Sequence, residues 1–277
     1  MSILYLVATP IGNLEDMSPR GIRVLKEVSL IAAEDTRHSR KLLNHFEINT
    51  PLTSFFEHSK PGKLEEILAG LRSGADIALI SDAGTPAVND PGYDLVRAAL
   101  DAGHEISPIP GPSAPIAALA ASGLPTDSFL YLGYLPRKSK ARQDFLAEQA
   151  AQPHTLIFLE SPHRLAASLK DMRAVLGDRK IAVAAELTKR FERFFRGSLS
   201  AALDFYQQEP ARGEFTLVVE GASTKEADWD EARVTAAIQA GLSGEESPSQ
   251  LARRVAAESG WARSQVYDLL QSISAED

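Results

Sequence analysis

The sequence predicts an α/β protein: a parallel-sheet half, a mixed-sheet half and a small helical tail. Three observations carry that prediction. From residue 3 to about 122, apolar β-type runs alternate with helical patterns, and runs apolar throughout belong to parallel sheets covered on both faces. A second alternating series follows, in which two runs stand too close together for a crossover helix. Residues 222–277 then lose the strand-like runs and keep apolar residues at helical spacing.

In the first half the strand-like runs are Ile3–Ala8, Val28–Ala33, Leu52–Phe55, Ile77–Ile80 and Ile106–Ile109, with helices fitted to Pro19–Lys26, Lys60–Arg72 and Gly92–Ala102. Such units make one doubly wound domain. Ser122-Gly-Leu-Pro-Thr-Asp127 is the linker, dense in residues that interrupt both helix and strand. In the second half Phe129–Tyr134, Thr155–Leu159, Ile181–Ala185 and Phe215–Val219 read as strands, and Arg193–Arg196 as a shorter one. Lys138–Ala150, Pro162–Val175 and Leu199–Gln207 read as helices. The short step from Ile181–Ala185 to Arg193–Arg196 makes this sheet mixed. In the tail, Ser247-Pro248 opens a helix, and two helices around Gly260-Trp261 resemble a helix-turn-helix. With 5 basic and 10 acidic residues, a net of −5, the tail reads as a packed appendage rather than a nucleic-acid grip. The expected domains are residues 1–122, 123–222 and 223–277.

Composition narrows the function classes. The 277 residues carry a net charge of −8, so the whole chain is no nonspecific polyanion binder. Cysteine is absent, which excludes disulfides, zinc ribbons, thiol nucleophiles and cysteine-held iron–sulfur clusters. The six histidines are scattered with no His-x-x-x-His pair, so no metal site is expected. No apolar run approaches the roughly 18 residues of a membrane span. The opening run Met1–Pro10 has no basic leader and breaks early, so a cytoplasmic protein is expected.

Chemistry concentrates in the loops after the strands, where open α/β sheets bind ligands. Ala8-Thr-Pro-Ile-Gly-Asn13, the run Ser81–Gly92 and Pro108-Ile-Pro-Gly-Pro-Ser-Ala-Pro115 are rich in Gly, Pro and small polar residues. They let a backbone approach a ligand and leave N–H groups free at helix starts. Asp90-Pro91 and Ser113 also read simply as helix starts. None of the loops matches a P-loop or a dinucleotide fingerprint. Acid and base stand side by side in Ala33-Glu-Asp-Thr-Arg37, Leu159-Glu-Ser-Pro-His-Arg164 and Ala185-Glu-Leu-Thr-Lys-Arg190, as proton transfer and anion contact require. Surface ion pairing would produce the same pattern. Arg137–Arg142 and Lys189–Arg196 are local basic footprints within an acidic chain, suited to phosphate, and the first reads equally as a solvated helix face.

Residue chemistry alone leaves the ligand unnamed. A resemblance adds to it. Leu6-Val-Ala-Thr-Pro-Ile-Gly-Asn-Leu14, Ala33-Glu-Asp-Thr-Arg37, Ser81-Asp-Ala-Gly-Thr-Pro86, Pro110-Gly-Pro-Ser-Ala114, Glu160-Ser-Pro-His-Arg164, Glu186-Leu-Thr-Lys189 and Gly213-Glu-Phe-Thr216 occur in this order. Together they resemble the tetrapyrrole-methylase superfamily, and within it the branch that methylates ribosomal RNA at the ribose 2′-oxygen. The resemblance runs over nearly the whole chain. It implies a homodimer that binds S-adenosylmethionine in a cleft between two α/β domains. It also implies 16S rRNA as partner, within the small ribosomal subunit, with a decoding-region cytidine as target. The cofactor contacts it implies are Pro10, Ile11, Ala83, Gly84, Thr85, Val88, Ser113, Ala114, Leu159, Glu160, Leu187, Phe215 and Thr216. In the wider superfamily the first loop reads Gly-x-Gly-x-Gly-Asp and a later one Gly-Gly-Asp-Pro. Here Ala8–Asn13 and Asp82-Ala-Gly-Thr-Pro86 depart from both, which counts against a porphyrin-type substrate.

On this basis Asp35 is the candidate proton acceptor and Lys189 the group that steadies the developing alkoxide. Arg37, Arg137, Lys138, Arg164 and Arg190 are the candidate RNA contacts. A porphyrinogen C-methyltransferase, a non-catalytic cofactor-binding assembly factor and a nucleotide-binding module remain alternatives.

Overall fold

The computed structural model describes residues 2–56, 61–209, 211–223, 229–242 and 246–276. The chain divides into two compact units, Met1–Ala150 with His154–Glu220, and Ala151–Pro153 with Gly221–Asp277. Both sheets lie in the first.

The first sheet contains β1 (Ile3–Val7), β2 (Leu30–Ala33), β3 (Leu52–Ser54), β4 (Ile77–Ile80) and β5 (Glu105–Ile109) in the order β3-β2-β4-β1-β5, with every pairing parallel. The pleat explains why these strands read apolar throughout. Ile77 and Leu79 of β4 enter one core with Ile67, Leu71, Leu95 and Ala99. Ala78 and Ile80 enter the opposite core with Val24, Leu25 and Leu43. Alternate side chains thus serve two buried faces. The covering helices are α1 (Pro19–Glu27), α2 (Thr36–His45), α3 (Pro61–Arg72) and α4 (Tyr93–Asp101).

Helix α5 (Ala114–Ser122) follows β5 but packs elsewhere. Its Ala118 and Leu119 are buried against Ile157, Ala182, Ala184 and Val218. Those four belong to the second sheet, built from β6 (Phe129–Tyr134), β7 (Thr155–Glu160), β8 (Lys180–Ala185), β9 (Arg193–Ser198) and β10 (Phe215–Val219) in the order β6-β7-β10-β8-β9. The β6–β7 pair is parallel, and β10 runs antiparallel to both β7 and β8. The expected mixed sheet is present, and β8 and β9 are the antiparallel neighbours. Helices α6 (Ser139–Gln149), α7 (Leu165–Leu176) and α8 (Leu199–Gln208) cover the other face around Phe158, Phe215 and Leu217.

The second unit holds α9 (Glu231–Leu242), α10 (Pro248–Ser259) and α11 (Arg263–Glu276). Ser247 and Gln250 form a capping box at the start of α10, and Gly260 closes it in a left-handed conformation with φ 77°. Val234, Ile238, Leu251, Val255, Val266 and Leu270 make its core. The Trp261 indole N–H donates to the Trp229 carbonyl at 2.7 Å. Among the described residues no helix is long and apolar enough to cross a membrane.

Candidate functional site

The antiparallel direction of β10 decides where the site forms. Phe215 at its start pairs with Glu160 at the end of β7 and with Ala185 at the end of β8. The loops after β7 and β8 and the entry to β10 therefore share one edge. They meet the loops after β1, β2 and β4 and the start of α5 around a cavity of about 260 Å³. Two backbone bonds, Thr9 N–H to the Gly84 carbonyl at 2.9 Å and Gly84 N–H to the Thr9 carbonyl at 3.0 Å, tie the first of these loops to the third.

Of the expected cofactor contacts, Ile11, Ala83, Gly84, Thr85, Val88, Ser113, Ala114, Leu159, Glu160, Leu187, Phe215 and Thr216 line this cavity, and Pro10 does not. Glu34, Asp82, Asn89, Asp90, Pro115, Tyr131, Tyr134 and Glu214 complete the wall. None of these eight was singled out from the sequence as a site residue. Glu34, Asp82, Asn89, Asp90 and Pro115 stand in segments already marked as loops of interest. Glu214 stands inside the Gly213-Glu-Phe-Thr216 motif without a role of its own, and the two tyrosines gave no signal, because only strand register brings them to this edge.

The wall has a distinctive charge. Glu34, Asp82, Asp90, Glu160 and Glu214 contribute five carboxyl groups, and among the described lining residues there is no Lys, Arg or His. Burial raises the Asp90 carboxyl above its usual range, a Ser81 hydrogen bond opposes this, and neighbouring Asp82 adds to it. Tyr131 is pushed up to about 12 by burial, with Tyr134 and Asp90 adding to the rise. Burial raises Tyr134 as well, with Glu214, Asp90 and Glu160 adding to it. Both tyrosines are therefore neutral hydroxyls at neutral pH. Among the described residues no cluster of three His, Asp or Glu is placed to hold a metal ion.

The loop after β8 is strained where it meets the cavity. Glu186 and Thr188 have φ of 53° and 62°, on either side of Leu187, a conformation that costs non-glycine residues about 1 kcal/mol or more. Its supports are explicit. Glu186 N–H donates to the Glu214 carbonyl at 3.0 Å, Glu214 N–H donates to Glu186 Oε1 at 3.0 Å, and Thr188 Oγ1 accepts from Asn13 N–H at 3.1 Å. Lys189 Nζ donates to Glu186 at 2.9 Å and to Glu214 at 3.2 Å. Burial alone would lower the Lys189 ammonium, but these carboxylates outweigh it and hold it charged. Lys189 is not itself in the cavity wall, but its partner Glu214 is.

Asp35 also lies just outside the wall, next to the lining residue Glu34. It caps α2, accepting from Arg37 N–H at 2.8 Å, and pairs with the Arg37 guanidinium at 3.0 Å. Arg37 holds the Asp35 carboxyl down to about 2. The Arg37 side chain is 90% exposed.

The basic footprints are only partly surface features. Arg142 is buried, with Nε 2.8 Å from Asp171 Oδ2 and a second nitrogen donating to the Pro136 and Arg137 carbonyls at 3.2 Å each. It braces α6 and α7 rather than offering a phosphate contact, which corrects the reading of Arg137–Arg142 as four available cations. Lys140 pairs with Asp144 at 2.8 Å. Arg164 pairs with buried Glu160 at 3.2 Å and donates to the Leu135 and Pro136 carbonyls, so its guanidinium serves the interior. Arg193 pairs with Glu209 at 3.0 Å, and Arg196 donates to the Ala121 and Ser122 carbonyls. Arg137, Lys138 and Arg190 are exposed, and Arg190 lies over the Phe191 ring at 5.5 Å.

Comparison with known proteins agrees with this architecture. The family profile of the tetrapyrrole (corrin/porphyrin) methylases matches residues 3–203. The chain is 45% identical to "Ribosomal RNA small subunit methyltransferase I" of Synechocystis sp., covering 100% of both chains. It is 50% identical to the protein of that name from Escherichia coli O157:H7, over 86% of this chain and 85% of that one. It is 47% identical to the Bacillus subtilis protein of that name, over 83% and 79%. Among solved structures it is similar to a cobalt precorrin-4 methyltransferase of cobalamin biosynthesis, with TM-score 0.58 and 16% identity over 79% of this chain and 94% of that one. A diphthine synthase gives TM-score 0.57 and 15% identity over 79% and 90%. At these identities the structural neighbours speak for the fold alone.

Proposed function

The chain belongs to the tetrapyrrole (corrin/porphyrin) methylase family, and from that premise we propose that it is a ribosomal RNA methyltransferase using S-adenosylmethionine. In this reading it methylates the ribose 2′-oxygen of a decoding-region cytidine in 16S rRNA, on the small subunit, as a cytoplasmic homodimer. Relatives at 45–50% identity whose names state an rRNA methyltransferase support the substrate class.

The observation that carries the donor assignment is the charge of the cavity. Five carboxyl-bearing residues line the cavity with no cation among the described lining residues. Glu160 and Glu214 are offset by Arg164 and Lys189 just outside the wall, and the acidic balance left with Glu34, Asp82 and Asp90 suits a ligand with positive charge. They disfavour a nucleotide, whose phosphates require N–H donors or cations. Ile11, Leu187 and Phe215 offer apolar walls for an adenine, and Gly84, Thr85 and Ser113 offer close backbone. When bound, S-adenosylmethionine supplies a methyl group activated by its sulfonium.

The chain's own residues then align the acceptor, which is most of what an in-line displacement requires. Lys189 Nζ, fixed by Glu186 and Glu214, steadies negative charge developing on the 2′-oxygen. Asp35 Oδ takes the hydroxyl proton once Arg37 is drawn from it onto an RNA phosphate, because that ion pair otherwise leaves it too weak a base. Arg137, Lys138 and Arg190 meet further phosphates.

The test is methyl transfer from labelled S-adenosylmethionine to isolated small ribosomal subunits, with the product nucleoside identified after digestion. A 2′-O-methylcytidine is expected. Labelling of a porphyrinogen instead, or of neither substrate by protein that binds the donor, would overturn the reading.

A further inference from the structure

Beside the acidic cavity lies a second one of about 380 Å³, lined by Phe55, Phe56, Asn89, Asp90, Pro91, Gly92, Tyr93 and Asp94. Asn89 and Asp90 belong to the walls of both. Two large aromatic side chains in this wall are open to solvent, Phe56 at 47% and Tyr93 at 65% exposure. Burial of such rings is the rule in folded chains, and exposed pairs in a concave wall mark contact surfaces.

The loop that carries the two shared residues includes costly conformations. Ala87 and Asn89 have φ of 66° and 61°, and Gly92, at φ 141°, takes a conformation open to glycine. A side chain at Gly92 would meet Leu79 Cδ2 at 2.6 Å, and one at Gly133 would overlap Asn89 Nδ2. The surrounding packing therefore fixes this loop, and strain of this kind gathers where a site needs a shape the backbone would not choose.

We propose that the second cavity is the subsite for the target base, a cytosine stacked on Phe56 and Tyr93, with its exocyclic amino group donating to the carboxylates of Asp90 and Asp94. The inference rests on the RNA methyltransferase reading above and adds what selects the nucleoside. Unpaired RNA bases are recognised by stacking on aromatic rings and by hydrogen bonds to their edges. Aspartate accepts hydrogen bonds from the cytosine N4 amine. Uracil presents an acceptor oxygen at that position, which an ionised carboxylate repels. Among the described lining residues no Lys or Arg is present, so the wall suits a base and not a phosphate. Because the two cavities share Asn89 and Asp90, a base seated in one brings its own ribose to the wall of the other.

The experiment uses the full chain with isolated small subunits carrying either cytidine or uridine at the target position. Steady-state methylation is measured for the parental protein and for Phe56→Ala, Tyr93→Ala, Tyr93→Phe and Asp94→Asn. Donor affinity is measured by calorimetry and folding by thermal unfolding. Tyr93→Ala and Phe56→Ala should each lower kcat/KM for the cytidine subunit about tenfold or more, the size of a lost base stack, with donor affinity unchanged. Tyr93→Phe should recover most of what Tyr93→Ala loses, since the ring and not the hydroxyl stacks. Asp94→Asn should narrow the preference for cytidine over uridine about tenfold. Parental transfer combined with unchanged kcat/KM in both alanine variants, or with an unchanged cytidine preference in Asp94→Asn, would overturn the subsite alone. Absence of transfer by the parental protein would overturn the proposed function and the subsite with it.

Discussion

Replacing Asp171 by alanine separates a structural cation from the RNA-facing ones. Asp171 and Arg142 have side chains only 7% and 4% exposed and meet at 2.6 Å. Ser139 and Gln143 also donate to Asp171, at 3.0 Å and 2.9 Å. Removing the carboxylate leaves a guanidinium charged and out of water, with only carbonyl partners. Breaking a buried pair from one side costs about 3–5 kcal/mol. At about 2–4 °C per kcal/mol for a unit of this size, melting should fall by roughly 6–20 °C. The double variant Arg142→Met with Asp171→Leu should recover most of that loss, because apolar replacement removes the stranded charge as well. The dependence on pH follows from the same contacts. Burial alone would raise the Asp171 carboxyl, but Gln143, Ser139 and Arg142 outweigh it and hold it below its usual value. A depressed native pKa stabilises the fold above the unfolded-state value, about 3.9, and that stability is lost as pH falls through the native value. Melting followed by calorimetry at pH 7 and in acid measures both effects. A loss under about 1 kcal/mol in Asp171→Ala, or a double variant no more stable than the single one, would refute the reasoning.

Three further outcomes follow from the site. Lys189→Ala should lower turnover about 10²-fold or more with donor affinity kept; steady-state kinetics with saturating subunits reads it, and a rise confined to KM would reduce Lys189 to a phosphate contact. Arg137→Ala with Lys138→Ala should weaken subunit binding and shrink the slope of log affinity against log salt by between one and two, as expected for two lost phosphate contacts; filter binding across a salt series measures it, and an unchanged slope would place those cations away from RNA. Gly12→Ala introduces a Cβ 2.5 Å from Lys189 Cγ and 2.9 Å from the Leu187 carbonyl; because backbone cannot yield easily, it should destabilise the fold by about 1–3 kcal/mol and weaken donor binding, both visible in unfolding curves taken with and without donor.

What could be read from the sequence depended on whether a segment's neighbours were local. Strand β4 was legible because Ile77–Ile80 is apolar on both faces wherever its partners lie. Helix α2 was not, since Thr36–His45 buries only Ser39 and Leu43 and otherwise reads as a polar run. Helix α5 has the opposite problem: Ala114–Ser122 is apolar almost all round and shows no helical period, because a distant sheet covers it. The loops of the cavity announced themselves through Gly and Pro. Tyr131 and Tyr134 did not, because their place depends on the register of β6 against β7. Linear charge misled at Arg142, where four neighbouring cations hid a partner twenty-nine positions away.

Helix α5 also has a consequence in time. During synthesis it leaves the ribosome attached to a first sheet whose five strands are already made, yet the surface that Leu119 and Ala118 bury against belongs to strands not yet translated. Val218 of β10 arrives about a hundred residues later, on the order of 5–20 s at usual elongation rates. Through that interval the helix has no native partner for its apolar side, and the nascent chain carries an exposed greasy surface that later synthesis must cover. Completion of the second sheet is thus the event that finishes the first half as well, and a ribosome stalled between the two would hold a chain with strong reason to aggregate.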